Sequence, residues 1–309
     1  MASHKFLSWI LSLCLLLTAC RSFASDSPTP APVSEPTSLP DTPTPTPAPD
    51  YMTRLMNAEY QLGLTDALRV VQLTDGKFEQ GAPGSVDRVS AALTGFAARG
   101  DLDGDGRNEY AALVSENYGG TGVFVFLAVF DDADGKPTFR TSALVDDRPL
   151  LNDLSIASGQ IFLDAAIHKS DDPMCCPTLR TTRHYRLIHN QLKMTDYVTF
   201  TPDGRPRAIT IESPADGTEV FKSVPIRGSI TIAPFENNLI YGIYDAGGIL
   251  LSEGHITVDA PDHGAPGTFE QTILLGNFLS GTVIRVRVQD FNQEDGSLFA
   301  MDSVELVVK

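Results

Sequence analysis

Ile284-Arg285-Val286-Arg287-Val288-Gln289 alternates aliphatic and polar residues without a break. A period of two puts the isoleucine and both valines on one face of an extended chain and both arginines on the other. The stretch therefore reads as a half-buried β-strand, with its aliphatic side chains in a core and its arginines toward water. An α-helix would scatter the same residues around its circumference. Working outward, comparable segments recur at 208–212, 224–232, 239–244, 249–258, 268–275, 283–291 and 303–308. Turn residues separate them at Gly217, Gly247-Gly248, Gly264, Gly267, Gly281 and Gly296. Seven short strands in about 100 residues predict an immunoglobulin-like β-sandwich. No cysteine follows Cys176, so the sandwich has no disulfide pin.

Upstream, Thr201-Pro202-Asp203-Gly204-Arg205-Pro206 interrupts the pattern and marks a domain boundary. The expectation is a first domain over 51–200 and a sandwich over 207–309. In the first domain, Leu55, Met56 and Tyr60 are helically spaced and Gly63 can stop the run, which predicts one short helix over 51–63. The segments 68–73 and 77–80 around Asp75-Gly76 predict a hairpin. Further strands are expected at 90–99, 109–115, 123–130, 138–145, 159–168 and 180–189. The 123–130 run is apolar throughout and reads as a central strand. Turns, not helices, join these strands, so pairing should be antiparallel. The fold class is mainly β: an antiparallel β-rich first domain with one short helix, then the sandwich.

Between two of those strands lies Gly100-Asp101-Leu102-Asp103-Gly104-Asp105-Gly106-Arg107-Asn108-Glu109. Acids packed so closely repel one another, and a hard cation with oxygen ligands would remove that cost. Asp101, Asp103 and Asp105 occupy positions one, three and five of an EF-hand loop, with Gly106 at six. Position twelve would be Ala112, where a bidentate glutamate is needed, so a true EF-hand is rejected. Glu109 closes a shorter loop instead. The candidate ligand set is Asp101, Asp103, Asp105, Arg107 and Glu109, and the candidate ion is structural Ca²⁺. The alternative is an acidic surface turn with no ion. The loop alone is similar to those of FG-GAP-type surface proteins, but it occurs once, which argues against a repeated propeller.

Cys175 and Cys176 are adjacent. In an exported chain with no other cysteine in its folded part, a vicinal disulfide is the economical pairing. Alternatives are free thiols, an intermolecular bridge, or Zn²⁺ held with His168 and His184, although adjacent cysteines chelate poorly.

The N-terminus reads as an address. Residues 6–18 form an apolar run of thirteen, too short to span a bilayer and of the size of a signal-peptide core. It ends in Leu17-Thr18-Ala19-Cys20, which looks like a bacterial lipobox. Residues 1–19 are thus expected to be a signal peptide and Cys20 the lipidated residue. Cleavage after Ser22-Phe23-Ala24, giving a secreted protein, is the alternative. Residues 20–50 are rich in proline and threonine and cannot bury a core, so they read as a disordered linker. The formal net charge is −16 with scattered basic residues, which argues against nucleic acid as a partner.

Residues 208–309 resemble the immunoglobulin-like domain of bacterial spore-germination and related cell-surface lipoproteins. The matching segments are Ile209-Thr210-Ile211-Glu212-Ser213-Pro214, Pro225-Ile226-Arg227-Gly228, Phe235-Glu236-Asn237-Asn238-Leu239-Ile240-Tyr241, Asp245-Ala246-Gly247-Gly248-Ile249-Leu250 and Gly267-Thr268-Phe269. The resemblance implies a non-catalytic envelope module and supplies no catalytic residues. Consistently, the chain has no Gly-x-Ser-x-Gly elbow, His-Glu-x-x-His pair, phosphate loop or dinucleotide fingerprint. The expected function is that of a lipid-anchored, non-enzymatic envelope protein that binds an envelope protein or wall polymer. The alternative is a metal-dependent hydrolase of wall polymers. Cys20→Ser should release the protein from the membrane or leave it unprocessed. Mass spectrometry that finds a mature N-terminus at Ser25 would overturn the lipid anchor.

Overall fold

The computed structural model describes residues 50–65 and 68–309, so the leader, Cys20 and nearly all of the linker lie outside the described residues. After helix α1 (Tyr51–Leu55) the portion expected as the first domain, so called below although residues 48–309 form one compact unit, runs through β1 (Glu59–Leu62), β2 (Arg69–Gln72), β3 (Lys77–Gln80), β4 (Val89–Gly100), β5 (Glu109–Asn117), β6 (Phe124–Ala133) and β7 (Lys136–Asp147). It continues through β8 (Leu150–Ala157), β9 (Gln160–Ile167), β10 (Leu179–Ile188) and β11 (Gln191–Phe200). The sandwich portion contains β12 (Pro206–Arg207), β13 (Ile209–Ser213), β14 (Thr218–Val220), β15 (Ser223–Ile230), β16 (Asn238–Asp245), β17 (Leu250–Asp259), β18 (Gly267–Leu274), β19 (Val283–Phe291) and β20 (Leu298–Val308). The expectation of a mainly β, antiparallel chain is borne out. One short parallel pairing, β14 with β20, departs from it.

In the first domain β3-β4-β5-β6-β7 form one antiparallel sheet. Ala111, Leu113, Val125, Leu127 and Val129 on one face pack against Leu154, Ile161, Leu163 and Tyr185 of β8–β10. Tyr110, Ala112, Val114, Phe126, Ala128 and Phe130 on the other face pack under Leu55, Tyr60, Leu62 and Val71 of α1, β1 and β2. Both faces of β5 and β6 are therefore covered, which is why 123–130 is apolar at successive positions instead of alternating.

Three local expectations are corrected. The helix is one turn, not thirteen residues. Tyr60 and Leu62 are fully buried at alternate positions of β1, and packing on the sheet outweighs the weak propensity of a short helix. The Asp75-Gly76 turn forms, but its arms separate after the Thr74–Lys77 bridge, with β2 pairing β1 and β3 pairing β4. Strands β8 and β11 were not expected at all. Each carries polar residues inside its apolar pattern, such as Asn152-Asp153 and Thr195-Asp196, which masks the period.

The sandwich packs Ile226, Leu239, Ile243, Ile256, Ile284, Val286, Val288 and Leu306 into one aliphatic core. The inward half of the Ile284–Gln289 alternation thus sits as the sequence reading expects. The outward half does not, because Arg285 is 5 % exposed.

Strand pairing continues past the Thr201–Pro206 breaker. β11 pairs β20 in the register Asp196↔Asp302, Tyr197↔Met301 and Val198↔Ala300. Thr199 Oγ1 donates to the Phe299 carbonyl at 2.7 Å and Ser303 Oγ to that of Thr195 at 2.9 Å. Asp196 and Asp302 thus stand directly opposite each other, where like charges are unfavourable. Burial lifts Asp196 to about 7, with the Asp302 charge adding. Burial lifts Asp302 to about 6, against the N–H groups of Ile211 and Ser303 that favour its ionised form. His184 Nδ1 lies 3.4 Å from Asp196 Oδ1, and burial holds that imidazole below its usual range, toward the neutral form. A carboxyl whose folded pKa is raised keeps its proton after the unfolded chain has lost it. Stability from this pair is therefore full below the unfolded aspartate range, about pH 4, and falls as pH rises to about 7. We expect Asp196→Asn to flatten that fall by roughly 1–3 kcal/mol. Urea unfolding of both proteins at pH 5 and pH 8 measures it, and equal pH dependence would refute the assignment.

Candidate functional site

β4 and β5 close on the pair Gly100↔Glu109, and the acidic loop is the turn between them. Gly104 and Gly106 have φ of +78° and +84°, a region that residues with a Cβ avoid. Leu102 anchors the loop by packing into the core between the two sheets of the first domain. The carboxylates then organise the backbone. Asp101 accepts from the N–H of Gly104 at 2.7 Å and of Gly106 at 3.0 Å. Asp103 accepts from Asp105 N–H at 3.3 Å, and Asp105 from Arg107 N–H at 2.7 Å. Glu109 is 3 % exposed and accepts from Leu102 N–H at 2.7 Å.

Asp101, Asp103 and Glu109 each bring one oxygen to within 4.8 Å of the others. Of the five expected ligand residues, the structure brings these three together. Asp105 and Arg107 lie in the same loop but outside that cluster, both exposed to solvent. Burial pushes the Glu109 carboxyl up, and the Asp103 and Asp105 charges push it further. Asp103 is held low by a hydrogen bond from Arg140, whose Nη1 lies 2.8 Å from Asp103 and 3.0 Å from Asp131. Arg140 is the functional residue that the sequence reading missed. It comes from β7, and no spacing in the sequence connects it with the loop. The donor set of hard, closely spaced oxygens fits Ca²⁺ better than a softer metal.

Asp103 and Gly104 also line a cleft of about 650 Å³, together with Arg186, His189, Asp216 and Glu305. Arg186 and Asp216 pair across the two halves of the chain.

The second feature is the loop between β9 and β10. Asp172 gathers it, accepting from Lys169 N–H at 3.0 Å, Thr178 N–H at 2.7 Å and Thr178 Oγ1 at 2.8 Å. These bonds hold its carboxyl below the usual range. Cys175 and Cys176 are exposed in this loop and joined to each other. His184 is engaged elsewhere, edge-on to Phe162 at 4.5 Å and beside Asp196. Among the described residues, Asp101, Asp103 and Glu109 are the only cluster with metal-holding geometry, and the cysteine–histidine set of the zinc alternative does not form one. No helix among the described residues is long and apolar enough to cross a membrane.

Residues 208–297 match the family described as the immunoglobulin-like domain of bacterial spore germination. The match spans β13 to β19, stops before β20, and includes none of the acidic loop. No curated protein matches the chain.

Residues 50–309 contain no cysteines besides Cys175 and Cys176, so a thiol assay on that segment, unfolded without reductant, should find almost none. Two reactive thiols per chain would overturn the bridge. Reduction should cost far less stability than for a long-range disulfide, because the bridge closes almost no loop.

Proposed function

We propose that the chain is a non-catalytic, lipid-anchored protein of the bacterial cell envelope that binds or spaces an envelope protein or wall polymer. Its first domain, over 51–200, carries a Ca²⁺-stabilised loop, and its sandwich, over 207–309, is the binding or structural module. The observation that carries this reading is the match of 208–297 to an immunoglobulin-like family, a kind of domain that serves structure and binding. The lipobox-like Leu17-Thr18-Ala19-Cys20 supplies the anchor, and the proline- and threonine-rich 20–50 the tether.

Asp101, Asp103 and Glu109 would hold the ion, with Asp105 and Arg107 the remaining members of the expected set. Bound there, Ca²⁺ would supply positive charge to acids of which, among the described residues, only Asp103 has an ion pair, with Arg140, and its role is to stiffen the turn. One observation favours a second reading, a metal-dependent hydrolase of wall polymers. The cleft beside Asp103 has the size of small-ligand sites, so a metal in the loop would face a cavity. Soluble fragments released from wall polymer by the purified protein in Ca²⁺, and absent in chelator, would favour that reading.

The test of the calcium reading is thermal. At a hundredfold excess over the dissociation constant, one Ca²⁺ stabilises the folded chain by about 2.7 kcal/mol. Chelation should lower the melting temperature accordingly, and Asp103→Ala should abolish the response. Magnesium should substitute poorly, because it demands a smaller and more regular oxygen shell. Identical melting in calcium and in chelator would leave the loop an acidic turn.

A further inference from the structure

Residues 271–284 carry no charged side chain, in a chain of which 20 % is charged. They cover the end of β18, the β18–β19 loop and the start of β19. Two of their leucines stand in water: Leu274 is 76 % exposed and Leu279 is 83 % exposed. Phe221, in the turn between β14 and β15, is 61 % exposed. Backbone hydrogen bonds gather all three at one end of the sandwich. Leu274 stands opposite Ser223 in the β15–β18 ladder, and Leu275 N–H donates to the Lys222 carbonyl at 2.8 Å. Lys309 N–H donates to the Val220 carbonyl at 2.8 Å, and Gly281 N–H to that of Val308 at 2.7 Å. The β14–β15 turn, the end of β20 and the β18–β19 loop therefore meet.

This exposure is built into the fold. Each of the three adjoins a residue packed on the sandwich core: Phe221 follows Val220, Leu274 precedes Leu275, and Leu279 follows Phe278. Ser223 N–H closes the turn on the Phe221 carbonyl at 2.6 Å, and Thr282 N–H closes the loop on that of Leu279 at 3.1 Å. Lys222 takes a left-handed φ of +59°, which a residue with a Cβ adopts only at a cost, and its ammonium lies over the Phe221 ring at 4.9 Å. Exposed apolar side chains scattered singly are ordinary. Three on fixed turns at one end of a fold form a contact surface.

The chemistry of this end suits lipid. Glu219 is paired with Lys309, and Lys222 has no ion pair among the described residues. Apolar tips beside a lysine match the boundary of a bilayer, where the side chains enter the acyl region and the ammonium stays among the headgroups. Reach comes from the proposed anchor. Residues 21–50 give at most about 100 Å of extended chain between Cys20 and the fold. A surface held that close is met at high effective concentration, so a weak contact suffices.

We propose that Phe221, Leu274 and Leu279 form a membrane-contact surface, seated in the headgroup–acyl boundary with the Lys222 ammonium above them. Asp103 and Asp216 line a cleft together with Val283 and Val307, so acids stand close to this end and zwitterionic lipid is the surface it takes. The contact is reversible and does not replace the anchor. The inference rests on the lipid-anchor reading for its reach, but its test does not.

The test uses the mature chain made with Cys20→Ser, which carries no lipid, and vesicles of phosphatidylcholine with or without phosphatidylglycerol. The chain's single tryptophan, Trp9, lies in the expected leader, so Leu279→Trp gives one reporter. Its emission should shift to the blue on phosphatidylcholine vesicles and be quenched by brominated acyl chains. Binding should survive about 1 M salt, and phosphatidylglycerol should weaken it at low salt. Phe221→Ser and Leu274→Ser should each lower the partition constant roughly tenfold or more without changing the melting temperature. Val70→Ser, at an exposed position of β2, should leave the constant unchanged. An emission maximum that vesicles do not move overturns the proposal. So does undiminished binding by Phe221→Ser, or a blue shift that grows with protein concentration in the absence of vesicles, which would make the occupant a second copy. A mature N-terminus at Ser25 would remove the anchor and leave these measurements standing, whereas a lipidated protein whose Cys20→Ser form ignores vesicles would remove this inference alone.

Discussion

Backbone pairing between Asp196–Val198 of β11 and Ala300–Asp302 of β20 is the constraint on which the rest of the arrangement depends. Each strand would otherwise present a free edge, a row of unpaired N–H and C=O groups open to other chains. Joining the edges satisfies those groups and makes the β8–β11 sheet continuous with the sandwich. The join has an electrostatic consequence. Residues that would face water on two separate domains face each other instead. Asp196 meets Asp302, Arg186 meets Asp216, and Lys193 reaches the turn between β16 and β17. Ionisable groups concentrate along this seam because forming it removes water from two polar faces at once.

The acidic loop obeys a different balance. Its backbone is already organised without an ion, because its own carboxylates accept five of its N–H groups. Among the described residues the ion pair formed with the clustered acids is that of Arg140 with Asp103, and Arg140 is shared with Asp131. Glu109 is the group under most stress, buried and near two further acids. A cation bound at Asp101, Asp103 and Glu109 would relieve Glu109 most, because the Coulomb interaction is strongest where water is excluded.

Much of the fold was legible because one face of most strands is buried, and burial imposes a period on the sequence. Ile284–Gln289 shows the reach and the limit of that signal. Its aliphatic half gave the core of the sandwich. Its arginines read as solvent-facing, since a period of two reports two faces without saying what covers the polar one. β11 was missed for a related reason. Both of its faces are occupied, one by the first-domain core and the other partly by the seam, so Lys193, Thr195 and Asp196 interrupt its apolar positions. Of the acidic cluster, Asp101, Asp103 and Glu109 were readable from local spacing, which also pointed to Asp105 and Arg107, residues that fall outside it. Arg140 was not, because a contact between residues 37 apart leaves no trace in a single sequence.

The loop and the sandwich lie on opposite sides of the cleft's two contributing halves yet share one continuous set of contacts. Leu102 packs into the core that β11 helps to close, β11 pairs β20, and Glu305 to Val307 of β20 line the cleft with Asp103 and Gly104. Stiffening the loop would therefore fix one wall of a cavity whose other walls come from Gly159 and Arg186 to His189 and from Asp216, Gly217, Val283 and Glu305 to Val307 of the immunoglobulin-like portion. That geometry suits a binding role more readily than a catalytic one. Glu109, the loop's acid with a raised pKa, is buried and committed to Leu102 N–H, so it is poorly placed to exchange protons with a substrate. Asp103, which does reach the cleft, is held ionised by Arg140 and suits charge recognition or ion binding. On these terms an ion bound in the loop would serve to hold shape, and the proposed recognition would fall to the surfaces on either side of it.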